Sequence, residues 1–205
     1  FRRIAHLAPF RLPGGEAAIR EPRRVAASLL AATGRPVDRG LASLVATGVG
    51  SPWTTSIGRL FDAVASLCGL CHVNEFEGQA AAALEHALES TGDPYPLPLG
   101  SGDPALLDWR PLLEEILADR AAGALVSRIS GRFHEALARA GLEIARRAGL
   151  PDVALGGGCF QNRHLVDRLR TLLEADGFRV HVPRLLPPGD GGIAVGQVLV
   201  AAGRG

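Results

Sequence analysis

Apolar residues recur at three- and four-residue spacing through much of the chain. The clearest run is Ser56 to Cys68, where Ile57, Leu60, Phe61, Val64 and Leu67 predict one face of an amphipathic helix. A helix opening at Glu21-Pro22 runs through Val25, Leu29 and Leu30 and stops at Gly34, with Pro36 just beyond. Further helices are predicted over Arg39–Ala46, Gly78–Leu88, Trp109–Ala122 and Ala124–Ala148, with Phe133, Leu137 and Ile144 on the buried face of the last. The first 20 residues, interrupted by Leu12-Pro13-Gly14-Gly15, read as irregular or strand-like, and Thr91–Asp108 reads as a Pro- and Gly-rich loop between sub-parts.

The pattern changes after Gly149. Asp152-Val153-Ala154-Leu155 predicts a short buried strand, followed by three glycines, a helix over Phe160–Ala175, a strand over Arg179–Val182 and a helix over Gly191–Ala202. Strand, glycine loop, helix, strand is an α/β arrangement, and right-handed crossovers make the two strands parallel neighbours. The expected division is therefore a leading segment, 1–20, and one lobe over 21–205, helical to about 150 and of strand, glycine-loop and helix character from about 151.

Composition narrows the classes. Lys and Arg number 22 against 21 Asp and Glu, so no basic footprint for nucleic acid is present. Apolar stretches fall short of the roughly 20 residues of a membrane span. Three cysteines do not make a disulfide framework, and a reduced, cytoplasmic setting fits. Cys68-Gly-Leu-Cys71 stands without a second CxxC and reads as two structural thiols. His86 and His134, in helical runs, read as packing or surface residues. The chain contains no methionine and opens on Phe1, and a fragment or processed product is expected.

Two turns carry candidate chemistry. In Leu155-Gly156-Gly157-Gly158-Cys159-Phe160-Gln161-Asn162, glycines at a strand's end let the backbone turn and a ligand approach, and the following helix N-terminus favours phosphate. Asn162, in the first turn, offers a donor and an acceptor. The alternative is a tight turn that binds nothing. In Pro187-Pro188-Gly189-Asp190-Gly191-Gly192, Asp190 is a helix cap, a functional carboxylate, or both. Asp62, on the polar side of its helix, has a solvated charge as its default reading, and Glu77 before Gly78 complements a helix dipole.

Five segments then occur in a recognisable order: Ser56-Ile-Gly-Arg-Leu-Phe-Asp62, Glu77-Gly-Gln-Ala-Ala81, Arg132-Phe-His134, Gly157-Gly-Cys-Phe-Gln-Asn162 and Pro187-Pro-Gly-Asp-Gly-Gly192. With the opening Pro9 to Pro22, they resemble the C-terminal, threonylcarbamoyltransferase-like domain of the HypF family of hydrogenase-maturation carbamoyltransferases. The resemblance implies the second lobe of an actin, sugar-kinase and heat-shock-chaperone-like α/β fold, helix-rich with a small parallel sheet. It implies ATP and carbamoyl-adenylate as ligands, and transfer of the carbamoyl group to the C-terminal cysteine of a HypE-like partner.

Carried over by position, Asp62 and Gly78 resemble nucleoside contacts, Asn162 an adenosine-side contact, Gly157 and Gly158 the phosphate path, and Asp190 a carboxylate ligand of an iron or zinc ion. The two histidine ligands of that ion and the upstream domains of the same polypeptide do not occur in this chain. The lobe alone is accordingly expected to bind metal weakly and to lack full activity. Cys159 resembles no acceptor, since the family's acceptor thiol belongs to the partner. Rival readings are a related O-carbamoyltransferase, a tRNA threonylcarbamoyltransferase, and a non-catalytic nucleotide-binding or interaction lobe. The Phe-Gln-Asn after the glycines and the near-neutral charge argue against the tRNA enzyme.

Overall fold

The computed structural model describes residues 1–203. In chain order the elements are β1 (Ala5–Leu7), β2 (Phe10–Arg11), α1 (Glu16–Arg20), α2 (Pro22–Ala32), α3 (Arg39–Thr47), β3 (Trp53–Thr54), α4 (Ile57–Leu67) and α5 (Gln79–His86). They continue with β4 (Ala105–Leu107), α6 (Arg110–Ala121), α7 (Val126–Ala148), β5 (Asp152–Ala154), α8 (Arg163–Ala175), β6 (Arg179–His181) and α9 (Ile193–Ala202). Helices dominate, and the strands form three two-stranded sheets among the described residues. This is the expected helix-rich α/β class.

The 23-residue α7 is the spine. Its Ile129, Phe133, Leu137 and Ala140 recur every three or four residues, which makes a continuous buried stripe. Phe133 meets Phe61 of α4 edge to face at 4.9 Å between ring centroids, a favourable aromatic geometry. On its other side α4 packs on α2, where Val25 and Leu29 are fully enclosed, and α5 and α8 flank α4 and α7 respectively. Ser56 accepts the Arg59 N–H and caps α4, which fixes where its first turn begins.

The leading segment has the strand-like character expected of it, and two local expectations are corrected. The leading segment is ordered: β1 lies parallel to β4, with Ala5 opposite Ala105 and Leu7 opposite Leu107, and β2 is antiparallel to β3. A short helix, α1, also lies within it. The Thr91–Asp108 stretch contains β4 and is stitched to the start of the chain, where the Trp109 indole N–H donates to the Ala8 carbonyl at 3.0 Å. These strands are two or three residues long, too short for a period of two to stand out.

The C-terminal part follows the predicted order. β5 and β6 are parallel, Val153 opposite Val180, joined by α8. The helix after the glycines starts three residues later than predicted, because Gly158–Gln161 forms a 3-10 turn first.

Candidate functional site

Four segments meet around one cleft of about 600 Å³. The first turns of α4 bring Gly58, Arg59 and Asp62. The start of α5 brings Glu77 and Gly78, and its last turn brings Glu85. The turn after β5 brings Gly158, Cys159, Gln161 and Asn162, and the turn before α9 brings Gly189, Asp190 and Gly191. Of the residues singled out in the sequence, Asp62, Gly78, Gly158, Asn162 and Asp190 all line this space.

Gly157 does not line it. Its N–H donates to the Pro188 carbonyl at 2.6 Å, so it fastens the glycine turn to the Asp190 turn. Its φ of 108° suits glycine alone. A Cβ on Gly189 would sit 3.7 Å from Gly158 Cα, which shows how closely the two backbones run. Gly78 caps α5 with φ 81°, and nothing stands within 4 Å of where its Cβ would be, so the wall there is bare backbone facing open space.

Asp62 departs from its default reading. It is only 1% exposed, not a solvated charge. Arg59 Nη1 approaches Asp62 Oδ2 to 2.8 Å, too obliquely for a hydrogen bond, and both carboxylate oxygens lack a hydrogen-bond partner. Burial pushes the Asp62 carboxyl up to about 6, with the Arg59 charge pulling the other way. The i, i+3 spacing of Arg59 and Asp62 was the available signal for this pair. An enclosed acceptor without a donor, on the wall of a cleft, is suited to a ligand hydroxyl or amine.

Asn162 is also more committed than expected. It is the N-cap of α8, one residue before the first turn, and its Oδ1 accepts the Leu165 N–H at 2.7 Å. Its Nδ2 lies 2.8 Å from His134 Nε2. His134 is fully buried, against the rings of Phe61, Phe133 and His164. Desolvation lowers its pKa to about 4, so the ring is neutral at pH 7. His86, by contrast, is exposed on α5.

Asp190 opens a 3-10 turn but makes no capping hydrogen bond, and it is exposed at the cleft edge. The cap reading therefore falls, and the carboxylate is free for a ligand. Among the described residues no three His, Cys, Asp or Glu side chains gather as metal ligands, so the residues present do not make a metal site by themselves. Burial raises the thiols of Cys159 and Cys68, the latter to about 11, and Cys71 is held by the Val73 carbonyl at 3.3 Å. None is an activated thiolate. No helix among the described residues is long and apolar enough to cross a membrane.

Known proteins resemble this chain along nearly its whole length. A family model described as "Carbamoyltransferase, Kae1-like Domain, second subdomain" matches residues 1–197. Carbamoyltransferase HypF of Synechocystis sp. is 38% identical over 232 residues, an alignment covering 97% of this chain and 30% of that protein. Carbamoyltransferase HypF of Rhodobacter capsulatus is 39% identical over 219 residues, covering 100% of this chain and 28% of the relative. A crystal structure of full-length HypF in a phosphate- and nucleotide-bound form superposes with a TM-score of 0.90 at 32% identity, covering 97% of this chain and 28% of that one. The chain thus spans less than a third of the length of these three proteins.

Proposed function

This chain belongs to the HypF carbamoyltransferase family as its Kae1-like second subdomain, and from that premise we propose that it supplies part of a carbamoyl-adenylate site in hydrogenase maturation. In this reading ATP and carbamoyl phosphate are converted upstream in the same polypeptide to carbamoyl-adenylate, which reaches the cleft. The C-terminal cysteine sulfur of a HypE-like protein attacks the carbamoyl carbon. The bond from that carbon to the adenylate oxygen breaks, AMP leaves with the electron pair, and the thiol proton passes to solvent. The reaction is placed in the cytoplasm.

The observation that carries the reading is the convergence of Asp62, Gly78, Asn162 and Asp190, from four separated segments, on one cleft. Each does something a nucleotide needs. Asp62 offers buried acceptor oxygens to ribose hydroxyls, and its charge makes those bonds stronger than neutral ones. Gly78 and Gly158 let the nucleoside and phosphate approach bare backbone. Arg59, beside Asp62, adds a cation to a wall that meets phosphate charge. Asp190, exposed at the cleft edge, is the carboxylate that would hold an iron or zinc ion, with further ligands from outside this chain. The phosphate- and nucleotide-bound state named for the full-length HypF structure supports the choice of ligand.

The test is calorimetric titration of ATP into the full-length polypeptide, fitted as two sites with the upstream ATP-consuming site as internal reference, alongside Asp62→Asn, which keeps the shape and removes the charge. Loss of one charge-assisted hydrogen bond is expected to weaken binding about tenfold. Mass spectrometry of the acceptor's C-terminal peptide reads the transfer. Undiminished ATP affinity in Asp62→Asn would overturn the nucleotide role of this wall, and ATP binding without any carbamoyl increment would favour a non-catalytic lobe.

A further inference from the structure

The hydrogen bonds around Asn162 admit one arrangement of protons. The Leu165 backbone N–H can only donate, so the Asn162 atom 2.7 Å from it is the carbonyl oxygen. The amide nitrogen then faces His134 Nε2 at 2.8 Å, and that ring nitrogen must be the acceptor. The ring proton therefore sits on Nδ1, where the Ser130 carbonyl, which can only accept, lies at 2.8 Å. The Ser130 hydroxyl donates to the Leu84 carbonyl at 2.5 Å, so towards Nδ1, 3.2 Å away, it too can only accept. A fixed backbone donor at one end and a fixed backbone acceptor at the other polarise the whole chain of bonds.

Burial keeps this arrangement. His134 is completely enclosed and Asn162 is 8% exposed, so neither side chain finds water as an alternative partner. Asn162 has one amide hydrogen left, and its residue lines the cleft. A flipped amide would set its NH2 group against the Leu165 N–H, so the oxygen stays turned to the start of α8.

We propose that His134 is a positioning residue: from α7 it locks the Asn162 amide in one orientation, with the oxygen turned to the start of α8 and one N–H left for the cleft. The ligand atom opposite Asn162 is accordingly an acceptor, such as an unprotonated purine ring nitrogen or an oxygen without a hydrogen. The inference rests on the nucleotide reading above, and it adds a residue that touches no ligand.

Four full-length proteins decide it: wild type, His134→Leu, Asn162→Ala and the double variant, each titrated with ATP and fitted as two sites with the upstream site as internal reference, with thermal unfolding recorded in parallel. If His134 acts through Asn162, His134→Leu weakens ATP about tenfold, as expected for one misplaced hydrogen bond. It then causes no further loss once Asn162 is already alanine. His134→Gln, whose amide oxygen can reach the Nε2 position, restores affinity to within about threefold of wild type. Independent losses in the double variant, an unchanged affinity in His134→Leu, or a glutamine variant as weak as the leucine one overturns the proposal. Should wild type take ATP at the upstream site alone, the nucleotide reading of this cleft fails instead. The unfolding cycle then decides the contact alone: coupled shifts support the His134–Asn162 bond, and additive shifts overturn it.

Discussion

The helical body and the C-terminal segment are both rich in apolar residues, yet they use them differently. In the body, Leu60, Val64, Leu112, Ile116, Ile129 and Phe133 are all at 0% exposure. In α9, Val198 and Leu199 are 66% and 67% exposed, and Ile193 and Val200 are more than half exposed. A helix that is apolar all round has the composition of a buried one, and α9 lies bare in this chain. The comparison separates two tasks. The body holds itself together, while the segment after β6 is shaped chiefly by its attachment to the glycine turn through Gly157 and Pro188. The cleft lies where the two meet, so its walls differ in rigidity: Asp62 and Asn162 are anchored in packed helices, and Asp190 is carried on an exposed turn.

The contrast is sharpest at its largest expected effect. Phe133→Ala removes an enclosed ring that meets Phe61 and His134, and should cost about 3–5 kcal/mol, read as a fall in the urea midpoint. A cost under about 1 kcal/mol would mean that α4 and α7 are not packed as described.

An intermediate effect has the opposite sign. The folded pKa of Asp62, about 6, lies above its unfolded value of about 4. The folded state then binds more protons between those values, so this group's contribution is fully present below about pH 4 and is lost as pH rises through 6. Asp62→Asn should therefore flatten the decline of stability over that window. At pH 7 it should leave the protein as stable as wild type or more so, by on the order of 1–2 kcal/mol. A wild-type profile that is already flat from pH 4 to 6 would contradict a buried carboxyl there. Together with the weaker ATP binding expected of the same variant, this marks Asp62 as a group placed at a stability cost.

Leu199→Ala gives the smallest effect. An exposed side chain on α9 should change the unfolding midpoint of the isolated chain by less than about 0.5 kcal/mol. A loss as large as that of a core residue would erase the distinction between the two regions.

How much of this was legible beforehand depends on the range of the interaction involved. The helix over Ile57–Leu67 follows from apolar spacing, and its start from Ser56, both readable within a dozen residues. The parallel pairing of β5 and β6 follows from the strand–helix–strand order and the handedness of crossovers. Glycine at 157 and at 78 announces backbone that other residues adopt at a cost. The pairing of β1 with β4 joins residues 100 positions apart in strands of three residues, and no local pattern carries that information.

The site divides along the same line. The amino-acid sequence determined which chemical groups were available and which turns would hold them: a carboxylate at 62, glycines at 78 and 158, an amide at 162 and a carboxylate at 190. Only the tertiary structure decided what each group has left to give. Asp62 is enclosed without a hydrogen-bond donor, Asn162 has turned its oxygen to α8 and one hydrogen to His134, and Asp190 is free because it caps nothing. The reason is physical: turn and helix preferences act over a few residues of backbone, whereas burial and the allocation of hydrogen bonds depend on partners brought in from distant parts of the chain.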